Sequence, residues 1–145
     1  MKKVLICATT GIFGNIIASL LGGWTGNLNT MLFMMAADWI TGLIVAGVFK
    51  KSTKTENGKL NSSVGLKGLC KKGMMLLLVV VAHRFDLTIG TGYIRDTVII
   101  ALIVNEAISL LENAKLMGVR IPKVIYNAIE VIKNEKEIES ESEDI

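Results

Sequence analysis

The chain has 145 residues, of which 51% are hydrophobic, and its mean hydropathy is +0.52. A soluble domain of this length needs more polar surface than such a composition supplies, so the sequence predicts an integral membrane protein. The formal net charge of +3 excludes little by itself, because the positions of the charges carry the information.

Two apolar runs occupy the first third of the chain. Residues 4–22 contain no charged residue, and residues 28–49 contain only Asp38. Each run has about the 20 residues that a helix needs to cross a membrane. A glycine-rich turn with an interfacial tryptophan, residues 22–27, separates them. The first run could instead be a cleaved signal peptide, although residues 18–20 lack the small-x-small cleavage pattern and a second run follows at once.

Two weaker apolar runs follow a polar loop at residues 50–63 and a short predicted interfacial helix at residues 64–72. They span residues 73–89 and 93–111 and are joined by a glycine-containing turn. A charge at the bilayer centre costs about 2.5–3.5 kcal/mol on insertion scales, so we expect these two helices to enter together as a hairpin. The ionisable residues that they carry are His83, Arg84, Asp86, Arg95, Asp96 and Glu106.

The remaining residues predict a cytoplasmic region. Gly118 ends the fourth helix, and Pro122 suits the first turn of another. Residues 122–138 have apolar and polar arcs at helical spacing, which predicts an amphipathic helix within a region 114–138. Residues 139–145 form an acidic tail that we expect to be disordered. The predicted fold is therefore all-α, with a membrane domain at residues 1–113, about four transmembrane helices (three are possible) and this C-terminal part.

The distribution of cationic residues predicts the orientation. If the four runs alternate across the bilayer, fourteen of the sixteen Lys and Arg residues fall on one side. Cationic loops stay on the cytoplasmic side, so both termini are expected to be cytoplasmic in a multi-pass protein of the bacterial cytoplasmic membrane. These fourteen residues are Lys2, Lys3, Lys50, Lys51, Lys54, Lys59, Lys67, Lys71, Lys72, Lys115, Arg120, Lys123, Lys133 and Lys136.

Polar residues within the apolar runs are the candidates for function. Asp38 is costly inside a membrane unless it is paired, protonated or facing water. On the fourth helix, polar residues fall in one stripe, which either lines water or pairs with polar residues of the third helix. The proposed pore-lining or pairing residues are Asp38, Arg84, Asp86, Arg95, Asn105, Glu106, Ser109, Glu112 and Asn113.

Small residues recur every four positions on the first two helices, a spacing that lets another helix approach closely. Such rows serve either packing within one subunit or self-association. The proposed packing residues are Gly14, Ala18, Gly22, Gly42 and Ala46.

The sequence offers no catalytic apparatus. It has no phosphate-binding glycine loop, nucleophile elbow or zinc-protease motif. Cys7 and Cys70 have neither metal-ligand nor redox spacing, and His83 cannot complete a metal site with them. We therefore expect no enzymatic activity, no metal, no cofactor and no nucleic-acid partner.

Three segments together resemble the toxin-secretion and phage-lysis holin family, over about residues 30–132. They are Asp38-Trp39-Ile40-Thr41-Gly42, the segment 61–72 (NSSVGLKGLCKK), and 105–113 (NEAISLLEN) followed by Gly118 and Ile121-Pro122-Lys123. The resemblance implies a homo-oligomer in the membrane, without enzymatic activity. It would open lesions through which an endolysin or a toxin leaves the cytoplasm. The alternatives are a small ion channel or transporter subunit, or a membrane adaptor that recruits a partner through its C-terminal helix.

Overall fold

The computed structural model describes residues 11, 14–55, 57–125, 127–128 and 131, and all regular structure among them is helical. Residues 14–20 form a first helical segment, followed by helix α1 at Gly26–Ile44 with a π-helical extension at Val45–Phe49. Helix α2 spans Ser62–Ile89 and helix α3 spans Ile94–Leu116. Three predicted parts lie wholly or largely outside the described residues. They are the start of the run 4–22 (the residues before 14, except Gly11), most of the amphipathic helix 122–138, and the tail 139–145.

The turn before α1 is set by two glycines and a threonine. Gly22 and Gly23 have φ of +79° and +92°, a region that favours glycine, and their amides donate to Ser19 O and Ala18 O at the end of the first segment. Thr25 Oγ1 then accepts from Leu28 N at 3.3 Å and caps α1. The first segment is helical to residue 20 only, so its helix is shorter at this end than predicted.

Helix α2 is continuous where the sequence predicts two separate helices. The sequence predicts an interfacial helix at residues 64–72 and a separate span from residue 73, but the structure has one continuous helix of 28 residues. Asn61 Oδ1 accepts from Ser63 N at 2.9 Å at its start, and Gly90 ends it with a φ of +76°. Gly73 does not break the helix, because a lone glycine costs only about 1 kcal/mol relative to alanine.

Helix α3 continues five residues beyond its predicted end at Leu111. Residues 112–116 are compatible with a helix, and Asn113 is buried against α1. Gly118, with a φ of +85°, accompanies the end of the helix as predicted.

The contacts at the helix ends determine their directions. Arg95 at the start of α3 contacts Leu21 and Gly23 just before α1, whereas Asn113 near its end contacts Asp38 late in α1. Helices α1 and α3 therefore run in the same direction, and α2 runs opposite to both. Helix α3 packs against both neighbours, while α1 and α2 touch little. The buried apolar core consists of Leu21, Leu28, Met31, Met35, Met75, Val79 and Ile99.

Many of the exposed side chains on the three helices are apolar. Phe33 and Val48 are 70% and 71% exposed, and Leu77, Phe85 and Ile100 are exposed on the other helices. By length and composition, one helix of the described part, Gly26–Phe49, could cross a membrane. The all-α fold is thus confirmed, and the count of four spans stays a prediction.

Candidate functional site

Two polar networks lie between the helices, one toward each end of the bundle. The inner network comprises Asp38, Thr41, Lys72, Glu106 and Asn113, and therefore joins α1, α2 and α3. The turn network comprises Asp86, Thr91 and Arg95 with the backbone of residues 21–23. The apolar core lies between them.

Lys72 is the centre of the inner network. Its Nζ donates to Asp38 Oδ2 at 2.8 Å and to Glu106 Oε2, so two carboxylates share one ammonium group. The side chains of Lys72, Asp38 and Glu106 are only 12%, 9% and 2% exposed. Such groups are stable inside a protein only when paired, because each isolated charge would cost several kcal/mol to desolvate.

Asn113 completes the network from α3. Its Nδ2 lies 3.0 Å from Asp38 Oδ1, 3.2 Å from the Asp38 carbonyl oxygen and 3.0 Å from Thr41 Oγ1. Gly42 faces the same nitrogen, which would be in ordinary contact, at 3.8 Å, with a Cβ atom at this position. A cleft of about 80 Å³, lined by Trp39, Leu60 and other residues at the ends of the helices, reaches Asp38 and Asn113. The Asp38-Trp39-Ile40-Thr41-Gly42 segment thus forms the α1 side of this network.

In the turn network, Asp86 caps α3 from the end of α2. Its carboxylate accepts from Thr91 Oγ1 at 2.7 Å, Ile94 N at 3.1 Å and Arg95 N at 2.9 Å. Two otherwise unpaired amides at the helix N-terminus are thereby satisfied, and the negative charge lies at the positive end of the helix dipole.

Arg95 attaches the first helical segment to the bundle. Its Nε donates to Leu21 O, its Nη2 to Gly23 O at 2.8 Å, and its Nη1 to Asp96 Oδ1 at 3.2 Å. The guanidinium group thus satisfies backbone carbonyls at the end of the first segment. Gly22 lies directly against it, because a Cβ atom there would come within 2.9 Å of Arg95 and 2.7 Å of His83 Nδ1.

Helix α3 is the predicted fourth helix, and some residues of its predicted polar stripe belong to these networks. Arg95, Glu106 and Asn113 are buried on one side of the helix, Asn105 and Ser109 are half-buried, and Glu112 is exposed. Arg84 is exposed on α2, and Glu106 contacts Lys72, not Arg84 or Asp86. Asp86 accepts from the backbone amide of Arg95, so the contact between these two residues is a helix cap and not an ion pair of their side chains.

Of the small residues predicted to pack helices together, some contact the rest of the subunit and others do not. Ala18 and Ala46 are buried, and Gly42 faces Asn113, so these three pack within the subunit. A Cβ atom at Gly14 would meet nothing within 4 Å. Gly22 lies in the turn beyond the helical residues, so it does not extend the row along a helix as expected.

Lys72 is the functional candidate that the sequence prediction missed, because it was grouped with the cytoplasmic lysines. Helical spacing could have identified it. Lys72 precedes the buried residues Met75, Val79, Ala82 and Asp86 by three, seven, ten and fourteen positions, which places it on the buried side of α2.

In the described part of the chain, the fold and its networks define an all-helical protein with many exposed apolar side chains and with paired charged groups in its interior. The model of the bacteriophage holin family matches residues 15–134, and the chain belongs to that family. A probable holin of Bacillus phage phi105 is 31% identical over 118 residues, which are 81% of this chain and 82% of the phage protein. Membership of the family implies a location in the cytoplasmic membrane.

Two further relatives match nearly the whole chain. An uncharacterised protein of Listeria innocua is 35% identical over 133 residues, covering 91% of this chain and 89% of its own length. An uncharacterised 14.9 kDa protein in the nagH 3′ region of Clostridium perfringens is 34% identical over 140 residues, covering 94% and 100%. No solved structure gives a significant match.

Replacing Arg95 with methionine should detach the first helical segment. The substitution leaves Leu21 O and Gly23 O without their donors, and each buried unpaired group costs about 1–3 kcal/mol. We expect limited proteolysis of the purified protein to cleave the 21–25 turn much faster in Arg95→Met. Arg84→Met, an exposed arginine on α2, is the matched control and should be cleaved at the rate of the parent. Equal rates for all three proteins would contradict the assigned role of Arg95.

Proposed function

We propose that the chain is a holin that oligomerises in the cytoplasmic membrane and forms lesions through which an endolysin or a toxin is released. The observation that carries this proposal is the paired Asp38–Lys72–Glu106 group inside a bundle that exposes many apolar side chains. A protein of this kind is compatible with lipid as a subunit and has polar groups available for a water-filled opening. Family membership supports the same conclusion, and it supports a non-enzymatic role.

The proposal includes four membrane spans with both termini in the cytoplasm. Two features of the fold support it. The turns at residues 21–25 and 90–93 are held at the same end of the bundle by Arg95 and Asp86. The lysine-rich loop of residues 50–61 follows α1 at the opposite end of the bundle. Because cationic loops stay on the cytoplasmic side, this end would be the cytoplasmic one.

The topology can be tested by cysteine labelling from outside intact cells, in a chain whose Cys7 and Cys70 are replaced by serine. Cysteines at Trp24 and Thr91 should react with a membrane-impermeant maleimide, because both lie in the proposed outer turns. Cysteines at Lys54 and Glu130 should react only after the cells are opened. Labelling at Lys54 in intact cells would overturn the four-span orientation.

Lesion formation would follow from an exchange of partners. In the isolated subunit, the carboxylates of Asp38 and Glu106 both pair with Lys72 within the bundle. When many subunits associate, the same groups can face water between subunits, which removes the need to bury them. Accumulation of subunits would therefore shift the population from a closed, internally paired form to an open one.

The function is tested by inducing the chain in bacterial cells and measuring the release of a large cytoplasmic enzyme. A holin should release the folded enzyme and allow a co-expressed endolysin to lyse the cells. Release of potassium without enzyme would instead indicate an ion channel or transporter subunit. An intact permeability barrier at high expression would indicate an adaptor, and either result would contradict the proposal.

A further inference from the structure

Helix α2 is longer than a membrane is thick. Its 28 residues span about 42 Å, at about 1.5 Å per residue, against about 30 Å for the hydrocarbon core. If the helix ends at the outer surface at Ile89, its first two turns extend beyond the hydrocarbon on the opposite side. These first turns are residues 62–69, immediately after the lysine-rich loop, and Cys70 follows them at the edge of the hydrocarbon.

The projecting part of α2 has an apolar face and a cationic flank. Leu66 and Leu69 are 62% and 54% exposed and share one face of the helix, together with the exposed Cys70. Lys67 and Lys71 lie to one side of that face and are exposed as well. The leucines can therefore enter the acyl-chain boundary while the lysines remain at the level of the headgroups.

The charge of this surface is strongly positive. Residues 50–72 contain seven lysines and one acidic residue, Glu56. Six of these lysines are exposed, whereas Lys72 is turned into the inner network. Clusters of four to eight cationic residues next to a membrane helix are typical of surfaces that bind anionic lipids. The six exposed lysines are Lys50, Lys51, Lys54, Lys59, Lys67 and Lys71.

We propose that these six lysines, with Leu66 and Leu69, form a binding surface for anionic phospholipids of the inner leaflet. The proposal rests on the membrane insertion that is part of the proposed function, but not on lesion formation. Charge complementarity selects an anionic headgroup, and the adjacent leucine face selects a lipid in a bilayer over a free phosphate. The surface would fix the depth of α2, and hence the position of the inner network relative to the headgroups.

The test uses the full chain with Cys7→Ser and a fluorophore on Cys70, which lies on the surface itself. The protein is reconstituted into phosphatidylcholine vesicles that contain either brominated phosphatidylglycerol or the same mole fraction of brominated phosphatidylcholine. Bromine quenches only on close approach, so a surface that gathers anionic lipid should show about twofold stronger quenching by the phosphatidylglycerol probe. Equal quenching by the two lipids would overturn the proposal.

Two variants separate this surface from general charge attraction. Lys67→Gln/Lys71→Gln should remove most of the excess quenching, whereas Arg120→Gln/Lys123→Gln, which loses the same charge beyond α3, should keep it. An equal loss in both variants would contradict the assignment to α2. Removal of the excess by added inorganic phosphate or by nucleic acid would show a different ligand and also overturn it. A chain that prefers phosphatidylglycerol but releases no enzyme would contradict only the proposed function.

Discussion

Lys72→Met should remove most of the protein from the membrane fraction. The substitution leaves Asp38 and Glu106 buried beside each other without their cation, and removing one partner of a buried ion pair costs about 3–5 kcal/mol. This loss is a large part of the stability of a small helical domain. Abundance in membranes at matched synthesis, and the melting temperature in detergent, measure the effect.

Two further variants make the result specific to the network. Arg84→Met removes an exposed cation from the same helix, outside the lysine surface, and its abundance should match that of the parent within the usual range for surface substitutions. Adding Asp38→Asn and Glu106→Gln to Lys72→Met should restore much of the protein, because no buried charge is then unpaired. Full abundance of Lys72→Met alone would show that the three charges are not coupled.

Glu106→Leu should have the opposite pattern, with normal insertion and no release of protein from cells. Lys72 still neutralises Asp38 in this variant, so the subunit keeps a paired interior. The variant lacks the carboxylate that the proposed open state exposes to water. Enzyme release after induction, compared at equal abundance in the membrane, measures the effect.

Glu106→Gln provides the conservative comparison. It keeps hydrogen bonding to Lys72 without the charge, and we expect partial release. If Glu106→Leu released as much enzyme as the parent, the inner network would be a packing feature of the closed subunit and would have no part in opening.

The helices and their polar positions could be predicted from the sequence because periodicity and charge distribution are local signals. Asp38 was singled out because a carboxylate that interrupts an apolar run has to be paired, protonated or facing water, and the glycine turns were predicted from their composition. The partners were not predictable in the same way. Lys72 follows Lys71 in a lysine-rich segment, and only its spacing relative to Met75 and Val79 distinguishes it.

Arg95 illustrates a second limit. Its acceptors are the backbone carbonyls of Leu21 and Gly23, which lie more than seventy residues away and are exposed by a turn with two left-handed glycines. No side-chain pattern marks a carbonyl as an acceptor, so the sequence suggested only water or polar side chains of the neighbouring helix. The continuity of α2 was missed because the change from lysines to apolar residues at Gly73 resembles the boundary between two helices. The helical backbone continues through this change in side-chain polarity.

The cap formed by Asp86 also affects the order in which parts of the chain can associate. Its three hydrogen bonds connect residues five, eight and nine positions apart, whereas the contact of Arg95 with Leu21 spans 74 positions. The entropy of closing a loop grows with the logarithm of its length, so the long closure costs about 2 kcal/mol more than the short ones. By loop entropy alone, the ends of α2 and α3 therefore meet at a lower cost than α3 and the first helical segment, and the Arg95 contact has more to gain from contacts that are already formed.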